Sequence, residues 1–487
     1  MFKKIAIALI AAAALVTLTA CPANDKQTVT DGKTEVTDQN PNEADVQTEE
    51  REIDYLSDLS DERYDGYEFR MLLRKGMASD QYLEEDSADL VQSATYKRNK
   101  LVEEKYGITI SVNESSGTYE TDALNSILAG DDAYDLIFAH SRAAFTYAVQ
   151  GAVYNINDIE SIHLEKPWWS KDIKESCNVN GYLYVLDGDI TTQGLGNAMS
   201  MFFNKNIFDD LGFEYPYQLV KDGEWTFDEF SYLAKKGGAD LNGNGIMEPE
   251  IDRFGFVSPE WEAPINILYT GGQKIYDKND LGELELTLYS SKTVEIFDEF
   301  FRLMDNEACF ISLAEGGNKY TGTNPFTDGR AMFYTATLGT AKNYRNMDDD
   351  FGIIPYPKYD EEDDYATVIN GFAHLIVIPI TVSDVERTGA ITEALCAYGS
   401  RDVIPAFYDV SLKTKYARDE ESEEMIDLIK SSIIYDLGYV AGGPLMSTGR
   451  DLAYSATHDF ASFYAARESS AKIKVQDFNR DYGHFDK

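Results

Sequence analysis

The chain is poor in basic residues relative to acidic ones. Among its 487 residues, 43 are Lys or Arg and 85 are Asp or Glu, so the formal net charge at pH 7 is -42. This charge argues against nucleic acid as a partner and against polyanionic ligands attracted by simple electrostatics. A neutral or a cationic ligand is compatible with this charge.

Cysteines are also scarce. Besides Cys21, the chain contains Cys177, Cys309 and Cys396, an odd number at long and unrelated spacings. Such spacings indicate neither a disulfide framework nor a zinc site. We expect three buried thiols, with one disulfide bridge between two of the three cysteines as the alternative.

Motifs of common enzymes are missing. The five histidines form no H-E-x-x-H motif, and no G-x-S-x-G nucleophile elbow is present. A glycoside hydrolase needs two carboxylates placed in a cleft, and acidic pairs are too abundant here to identify such a pair. We therefore predict that the protein is not an enzyme, with a surface glycoside hydrolase as the less favoured alternative.

The chain has one long apolar run, and it lies at the N-terminus. Lys3 and Lys4 precede residues 5–16, a run too short to span a bilayer and typical of a secretory signal. Residues 18–21 (LTAC) resemble a bacterial lipobox, in which the cysteine is acylated. The resemblance implies a signal peptide over 1–20 and a lipid anchor at Cys21, which holds the protein on the extracytoplasmic face of the membrane. An ordinary signal peptide with an incidental cysteine is the alternative.

Residues 21–63 are rich in Asp, Glu, Thr, Asn and Gln and contain few large apolar residues. A segment of this composition buries too little surface to offset the entropy lost on ordering. We interpret it as a flexible acidic tether between the anchor and the globular part.

The globular part begins with alternating strand and helix patterns. Strands are predicted at 67–73, 108–112 and 134–138, and helices at 93–106 and 121–128, with Gly107 as the stop of the first helix. This order indicates β-α-β units and a mainly parallel sheet. Ligands of such sheets bind beyond the carboxyl ends of the strands. Arg74 follows the first strand, and His140, Ser141 and Arg142 follow the third, so these four are candidate ligand contacts.

The stretch 180–230 marks the passage between two lobes. The apolar residues 182–186, predicted as a strand, break at Asp187-Gly188-Asp189, and a second apolar run at 199–203 is followed by a helix-like segment. We expect the backbone to cross here from one lobe to the other. Trp225 and Phe230 are predicted core residues.

Several short motifs in a shared order resemble the extracellular solute-binding proteins of ABC transporters (family 1, carbohydrate type). They are FNKNIFDDLG (203–212), WTFDEF (225–230), FTDGRAMFYTATLGT (326–340) and FGIIPYPK (351–358). Residues 134–156 are distantly similar to maltodextrin-binding proteins, although Ser141 stands where those proteins have Asp. The resemblance implies an α/β, two-lobed periplasmic-binding-protein-like fold of type II, with a ligand cleft between lobes joined by crossover hinge segments.

The same resemblance supplies boundaries and further site residues. It implies a first lobe at 64–188 with about 367–410 returning to it, and a second lobe at 189–366 with C-terminal helices at about 411–487. It also implies that Trp261 and Tyr334 contact the ligand in the second lobe.

The implied function is that of a lipid-anchored, monomeric substrate-binding subunit of an ABC importer on a Gram-positive-type surface. It would capture an oligosaccharide and deliver it to the permease subunits. The alternative is the same role for a peptide or for another neutral or cationic solute. No cofactor is required.

Residues 240–252 (DLNGNGIMEPEID) resemble a calcium loop. Asp240, Asn242 and Asn244 alternate, Gly245 stands at the sixth position, and the seventh, Ile246, offers a backbone carbonyl. The twelfth position, where a bidentate acid belongs, is occupied by isoleucine and is flanked by Glu250 and Asp252. We predict a structural Ca²⁺ ion that braces this loop, with a plain Asn-Gly turn as the alternative.

Overall fold

The structure is a computed structural model that describes residues 55–115, 119–313, 324–407 and 420–483. Contacts divide the chain into two units, Met1–Ile53 and Asp54–Lys487, and all described residues belong to the second unit. The predicted signal peptide, Cys21 and most of the predicted tether lie outside the described residues. No helix within the described ranges is long and apolar enough to cross a membrane.

The strands and helices alternate along most of the chain. The strands are Glu68–Arg74 (β1), Thr109–Ser115 (β2), Leu136–His140 (β3), Met199–Asn204 (β4), Phe254–Pro259 (β5), Tyr276–Lys278 (β6), Leu284–Leu286 (β7), Cys309–Ser312 (β8), Ala331–Thr337 (β9), Phe351–Ile354 (β10), Thr367–Val368 (β11), His374–Val377 (β12) and Ile433–Ile434 (β13). The α-helices are Leu90–Tyr106 (α1), Tyr119–Ala129 (α2), Ser141–Val149 (α3), Lys171–Cys177 (α4), Gln193–Gly196 (α5), Lys205–Leu211 (α6), Tyr217–Asp222 (α7), Phe227–Gly237 (α8), Ala263–Thr270 (α9), Ser291–Met304 (α10), Ala341–Tyr344 (α11), Val385–Tyr398 (α12), Glu420–Ser431 (α13), Leu437–Val440 (α14), Thr448–Ala453 (α15) and Phe460–Asp481 (α16). Short 3-10 helices lie at Tyr55–Asp58, Ala78–Asp80, Ile156–Asp158 and Leu338–Thr340, and a π-helical turn lies at Gly399–Val403.

The first half of the fold is built on a four-stranded sheet in the order β12-β3-β1-β2. β1 runs parallel to β2 and to β3, while β12 joins the edge antiparallel to β3. Because α1 and α2 connect the parallel strands, the predicted β-α-β arrangement with a mainly parallel sheet is confirmed.

Both ends of α1 follow from local chemistry. The Asp89 carboxylate accepts hydrogen bonds from the backbone N–H groups of Val91 and Gln92 at 3.0 and 3.2 Å, which caps the helix start. Gly107 ends the helix in a left-handed conformation with φ of 71°, which a side chain would oppose. The predicted stop is confirmed, and the helix begins three residues earlier than the predicted Ser93.

The second half is built on a five-stranded sheet in the order β10-β4-β9-β5-β8. β5 runs parallel to β8 and β9, and β4 runs antiparallel to β9 and β10. Every residue of β4 and β10 is buried. A sheet covered on both faces explains why these strands have continuous apolar runs without alternation.

Aromatic rings fill the core of the second half. Trp225 and Phe230 are both buried, with ring centroids 6.0 Å apart, and Phe230 lies 5.3 Å from Phe333. The Trp225 indole N–H donates to the Pro355 carbonyl at 3.1 Å. The predicted core role of both residues is confirmed.

Two segments of the chain cross between the halves side by side. Residues 187–198 lead from the first half to β4, and residues 369–373 lead back to β12. The Asn370 N–H donates to the Asn197 carbonyl at 2.9 Å, and Ala198 forms an isolated bridge with Ile369. The apolar stretch 182–186 forms no strand. Residues 183–186 are buried and Tyr182 is half-buried, and only Leu186 of this stretch bridges to β12, at Ile376.

The three cysteines within the described residues, Cys177, Cys309 and Cys396, are free and buried. This confirms the expectation of buried thiols. Upstream of β1, Leu59 is buried and Asp58 forms an ion pair with Lys166. Residues 55–63, which composition assigned to the tether, therefore contact the folded unit.

Candidate ligand-binding site

A cavity of about 150 Å³ lies where residues from both halves and from the returning segment meet. This volume accommodates a single six-membered ring. The cavity is lined by His140, Ser141, Arg142, Trp261, Glu262, Asn370, Gly371, Phe372, Tyr439 and Met446. Four predicted site residues, His140, Ser141, Arg142 and Trp261, are among them.

The wall from the first half forms where β3 passes directly into α3. His140 caps α3, because its Nδ1 accepts the Arg142 backbone N–H at 3.3 Å. The Ser141 hydroxyl donates to the Gly371 carbonyl at 3.2 Å, which ties the wall to the returning segment. The Arg142 side chain is exposed at the cavity.

The imidazole groups near this wall are neutral at pH 7. Burial, together with the positive charge of Arg142, lowers the pKa of His140 to about 4. Burial also lowers the pKa of His374 to about 4, with a further contribution from Arg74. Because Nδ1 of His140 is an acceptor, its proton is on Nε2, which can donate a hydrogen bond.

Trp261 forms part of the wall from the second half, between β5 and α9. The guanidinium carbon of Arg450 lies 5.0 Å from its ring centroid, and Arg450 Nε donates to Glu260 at 2.9 Å. The Tyr454 hydroxyl donates to the other Glu260 oxygen at 2.6 Å. A cation is attracted to the face of an aromatic ring. Arg450, held by Glu260, therefore helps to orient the partly exposed indole of Trp261.

Glu262 stands beside Trp261 at the start of α9. Its Oε2 atom is shielded from solvent and has no hydrogen-bond partner within the described part of the chain. Burial, with a contribution from Glu260, raises the pKa of Glu262 to about 7. Glu262 was not predicted from the sequence, because a carboxylate at the start of a helix is ordinarily a cap.

The returning segment contributes Phe372, a second cavity residue that was not predicted from the sequence. Its side chain is 62% exposed although it precedes the buried strand β12. In the sequence FAHLIVIP, Phe372 reads as the first residue of that strand. The crossing places it at the cavity instead.

The other two predicted ligand contacts do not line this cavity. Tyr334 lies on β9, is buried, and stacks on Phe326 with centroids 5.7 Å apart. Arg74, at the end of β1, is exposed and lies close enough to His140 and His374 to lower the pKa of each. That Arg74 and Tyr334 contact the ligand remains a prediction.

The 240–252 loop is organised by its own polar groups. The two Asp240 oxygens accept the N–H groups of Gly243 and Gly245, each at 2.7 Å. The side-chain amides of Asn242 and Asn244 both donate to Glu248, at 3.0 and 2.7 Å. Asp252 is buried, and its oxygens accept the N–H groups of Leu241 and Glu248 at 2.8 and 2.7 Å.

The side chains of Asp240, Asn242, Asn244, Glu248 and Asp252 therefore make hydrogen bonds within the loop itself. Carboxylate and amide oxygens of this kind suit calcium. Across the ranges that the structure describes, no three His, Cys, Asp or Glu side chains form a group that could hold a metal ion. Calcium binding stays a prediction.

A larger cavity of about 810 Å³ lies elsewhere between the crossing segment and the C-terminal part of the chain. Trp168, Trp169, Asp187, Asp189 and Lys430 are among its lining residues. Burial raises the pKa of Asp187 and of Asp189 to about 6. None of the predicted ligand contacts lies there.

Solved structures share this fold at low sequence identity. UspC of M. tuberculosis is 12% identical, with 83% of this chain and 99% of that chain covered and a TM-score of 0.57. The GacH receptor of Streptomyces glaucescens is 11% identical, with 86% and 97% covered and a TM-score of 0.52. A de novo designed esterase is 14% identical, with 85% and 99% covered and a TM-score of 0.58. At such identities the likeness concerns the fold alone.

The family is established by sequence. No curated protein matches the chain, but residues 87–384 match the family model of bacterial extracellular solute-binding proteins. The match covers more than half of the chain, and the two sheets with their crossing segments agree with the expected two-lobed α/β fold. The chain belongs to the bacterial extracellular solute-binding proteins.

Proposed function

We propose that the protein is the lipid-anchored substrate-binding subunit of an ABC importer and that it delivers an oligosaccharide to the permease. The observation that carries this proposal is the composition of the 150 Å³ cavity. Trp261 and Phe372 offer flat apolar surfaces there, and Arg142 and Glu262 offer polar groups at its edge. A sugar ring presents apolar faces and a rim of hydroxyl groups, which this combination suits.

A related structure supports the choice of a sugar. The GacH receptor was solved unliganded and in complex with acarbose and an acarbose homolog. The cavity here holds one ring, so further rings of an oligosaccharide would extend from it along the cleft between the lobes.

Capture is proposed to occur by closure of the two lobes. The first lobe comprises 64–188 with about 367–410, and the second comprises 189–366 with the C-terminal helices at about 411–487. His140, Ser141 and Arg142 belong to the first lobe, and Trp261 and Glu262 belong to the second. A ligand that contacts both walls favours the closed state over the open one, because it makes more contacts there. Arg74 and Tyr334 are proposed to contact further rings, and the protein is proposed to act as a monomer.

We propose that the protein releases the bound sugar without hydrolysing it. Of the described residues that line the cavity, Glu262 alone is a carboxylic acid. Hydrolysis of a glycosidic bond ordinarily uses two carboxyl groups that flank the bond. A chromatographic assay should therefore recover the oligosaccharide intact after incubation with the protein.

A cationic solute, such as a basic peptide, is the second candidate. The Glu262 oxygen, which has no hydrogen-bond partner among the described residues, and the net charge of -42 favour it. The exposed Arg142 at the same cavity opposes a positive charge, which is why a neutral sugar is preferred.

A melting-temperature screen of the full chain separates these candidates. Gluco-, xylo- and manno-oligosaccharides are tested against basic and neutral peptides, since a ligand that binds only the native state raises the melting temperature. A rise with one sugar series supports the proposal. A rise with peptides and none with sugars would replace it by the second candidate.

The lipid anchor is proposed from the LTAC motif and has its own test. The full chain expressed in a bacterial host should partition into the detergent phase of Triton X-114, and Cys21→Ser should move it to the aqueous phase. Equal partitioning of both chains would contradict acylation at Cys21.

A further inference from the structure

We propose that Oε2 of Glu262 accepts a hydrogen bond from a hydroxyl of the bound sugar ring, and that sugar binding thereby releases a proton from this carboxyl group. The inference rests on the proposed sugar-binding function and names the residue that selects the ring. It makes a hydroxyl at one position of the ring a requirement for tight binding.

The geometry of Glu262 carries the argument. Its Oε2 atom is shielded from solvent, lacks a partner among the described residues, and belongs to a side chain that lines the cavity. Buried polar atoms in folded proteins nearly always have a partner, because an unsatisfied atom has lost its hydrogen bonds to water without replacement. A donor supplied by the ligand would provide that replacement only in the complex.

No neighbouring side chain in the described part of the chain donates a hydrogen bond to Oε2 of Glu262. Glu260 is already engaged by Arg450 and Tyr454. Tyr356 and Tyr439 are buried near Glu262, and the negative charge of Glu262 raises the pKa of each beyond the effect of burial. The other charged or titratable groups at the cavity are Arg142 and the neutral His140.

The direction of proton transfer follows from the environment of the carboxyl group. Burial raises the pKa of Glu262 to about 7, although the backbone N–H groups of Glu262 and Trp261 favour its ionised form. A sugar hydroxyl that donates to Oε2 favours the ionised form further, so the pKa falls in the complex. The proton passes to the buffer, and the affinity rises from pH 6 to pH 8. If the protonated carboxyl group donated to the sugar instead, binding would take up a proton and weaken over the same range.

Calorimetry measures this directly. The full chain is titrated at pH 7 with maltotriose, xylotriose and mannotriose in buffers of different ionisation enthalpy, which yields the number of protons released. For a group with a pKa near 7 in the free protein, we expect about half a proton per sugar bound. In Glu262→Gln, the dissociation constant should rise about tenfold to a hundredfold, and the release should disappear.

Glu393→Gln is the matched control. The pKa of Glu393 is also raised to about 7 by burial, but its oxygens accept the two indole N–H groups of Trp168 and Trp169 away from this cavity. Proton release on sugar binding should persist in Glu393→Gln. Sugar binding without proton release, or with proton uptake, overturns the Glu262 inference alone. Failure of all three sugars to bind overturns the proposed function, and the inference falls with it.

Discussion

The ring of Phe372 meets the imidazole of His140 edge to face, with the ring centroids 5.8 Å apart. The contact joins the segment that returns between the halves to the end of β3. It leaves one side of Phe372 exposed at the cavity, in a position where burial would have been favourable. The exposed ring is explained if a ligand covers it.

Phe372→Ala should weaken sugar binding by about tenfold, since the variant loses the aromatic surface on which the ring packs. The free energy of unfolding of the unliganded protein should change by only about 0.5 kcal/mol, because the side chain is largely exposed. Titration calorimetry and thermal unfolding measure the two effects. Leu281→Ala is the control, because Leu281 is 78% exposed and lies outside the cavity. Equal losses of affinity in both variants would contradict the role of Phe372.

Trp261 should report ligand binding through its fluorescence, because its indole is partly exposed at the cavity. Trp261→Ala should abolish the fluorescence change and weaken binding by about tenfold or more. Trp225→Phe is the control, because Trp225 is fully buried in the second half. A fluorescence change that survives in Trp261→Ala and disappears in Trp225→Phe would place the sugar elsewhere.

The sequence predicted local features of the fold well where one residue determines the backbone. The stop of α1 at Gly107 needs only local geometry, and it is present. Trp225 was predicted as a core residue, and it is buried. The stretch 182–186 failed as a strand, because burial beside β12 gives the same apolar pattern as a strand does.

The candidate site was only partly predictable. The rule that ligands bind beyond the carboxyl ends of strands led to His140, Ser141 and Arg142, which do line the cavity. Glu262 and Phe372 were missed, because each resembles an ordinary structural residue when read alone, a helix cap and a strand residue. They are distinguished by an oxygen without a partner in the described part of the chain and by an exposed ring, and only tertiary structure reveals either.

Glu393 should make stability depend on pH. Burial raises its pKa to about 7, so its contribution to stability is fully present below the unfolded value near 4.5 and is lost as the pH rises to about 7. The free energy of unfolding, measured with denaturant, should fall by roughly 3 kcal/mol over this pH range because of Glu393. In Glu393→Gln this component should be missing, whereas the exposed Glu214→Gln should retain it, since Glu214 is not among the charges that raise the pKa of Glu393. The pKa values of His140 and His374 are lowered in the folded protein, so their contribution to stability rises with pH. This contribution is the same in all three proteins. Identical pH profiles for the three proteins would contradict the assignment.

Calcium should bind to the 240–252 loop. Added calcium should raise the melting temperature of the full chain, and terbium bound in its place should give sensitised luminescence. Asp240→Asn should weaken both effects, because the carboxylate of Asp240 is a predicted ligand. Asp305→Asn is the control at an exposed acid outside the loop. An unchanged melting temperature with calcium would leave the loop as an Asn-Gly turn held by Asp240.

Small-angle scattering of the full chain, with and without a sugar that raises its melting temperature, tests whether the two lobes close around the ligand. Closure of the two lobes around the ligand predicts a smaller radius of gyration at saturation, and Arg142→Ala should require more sugar to reach it. A saturating sugar that leaves the radius of gyration unchanged would contradict capture by closure.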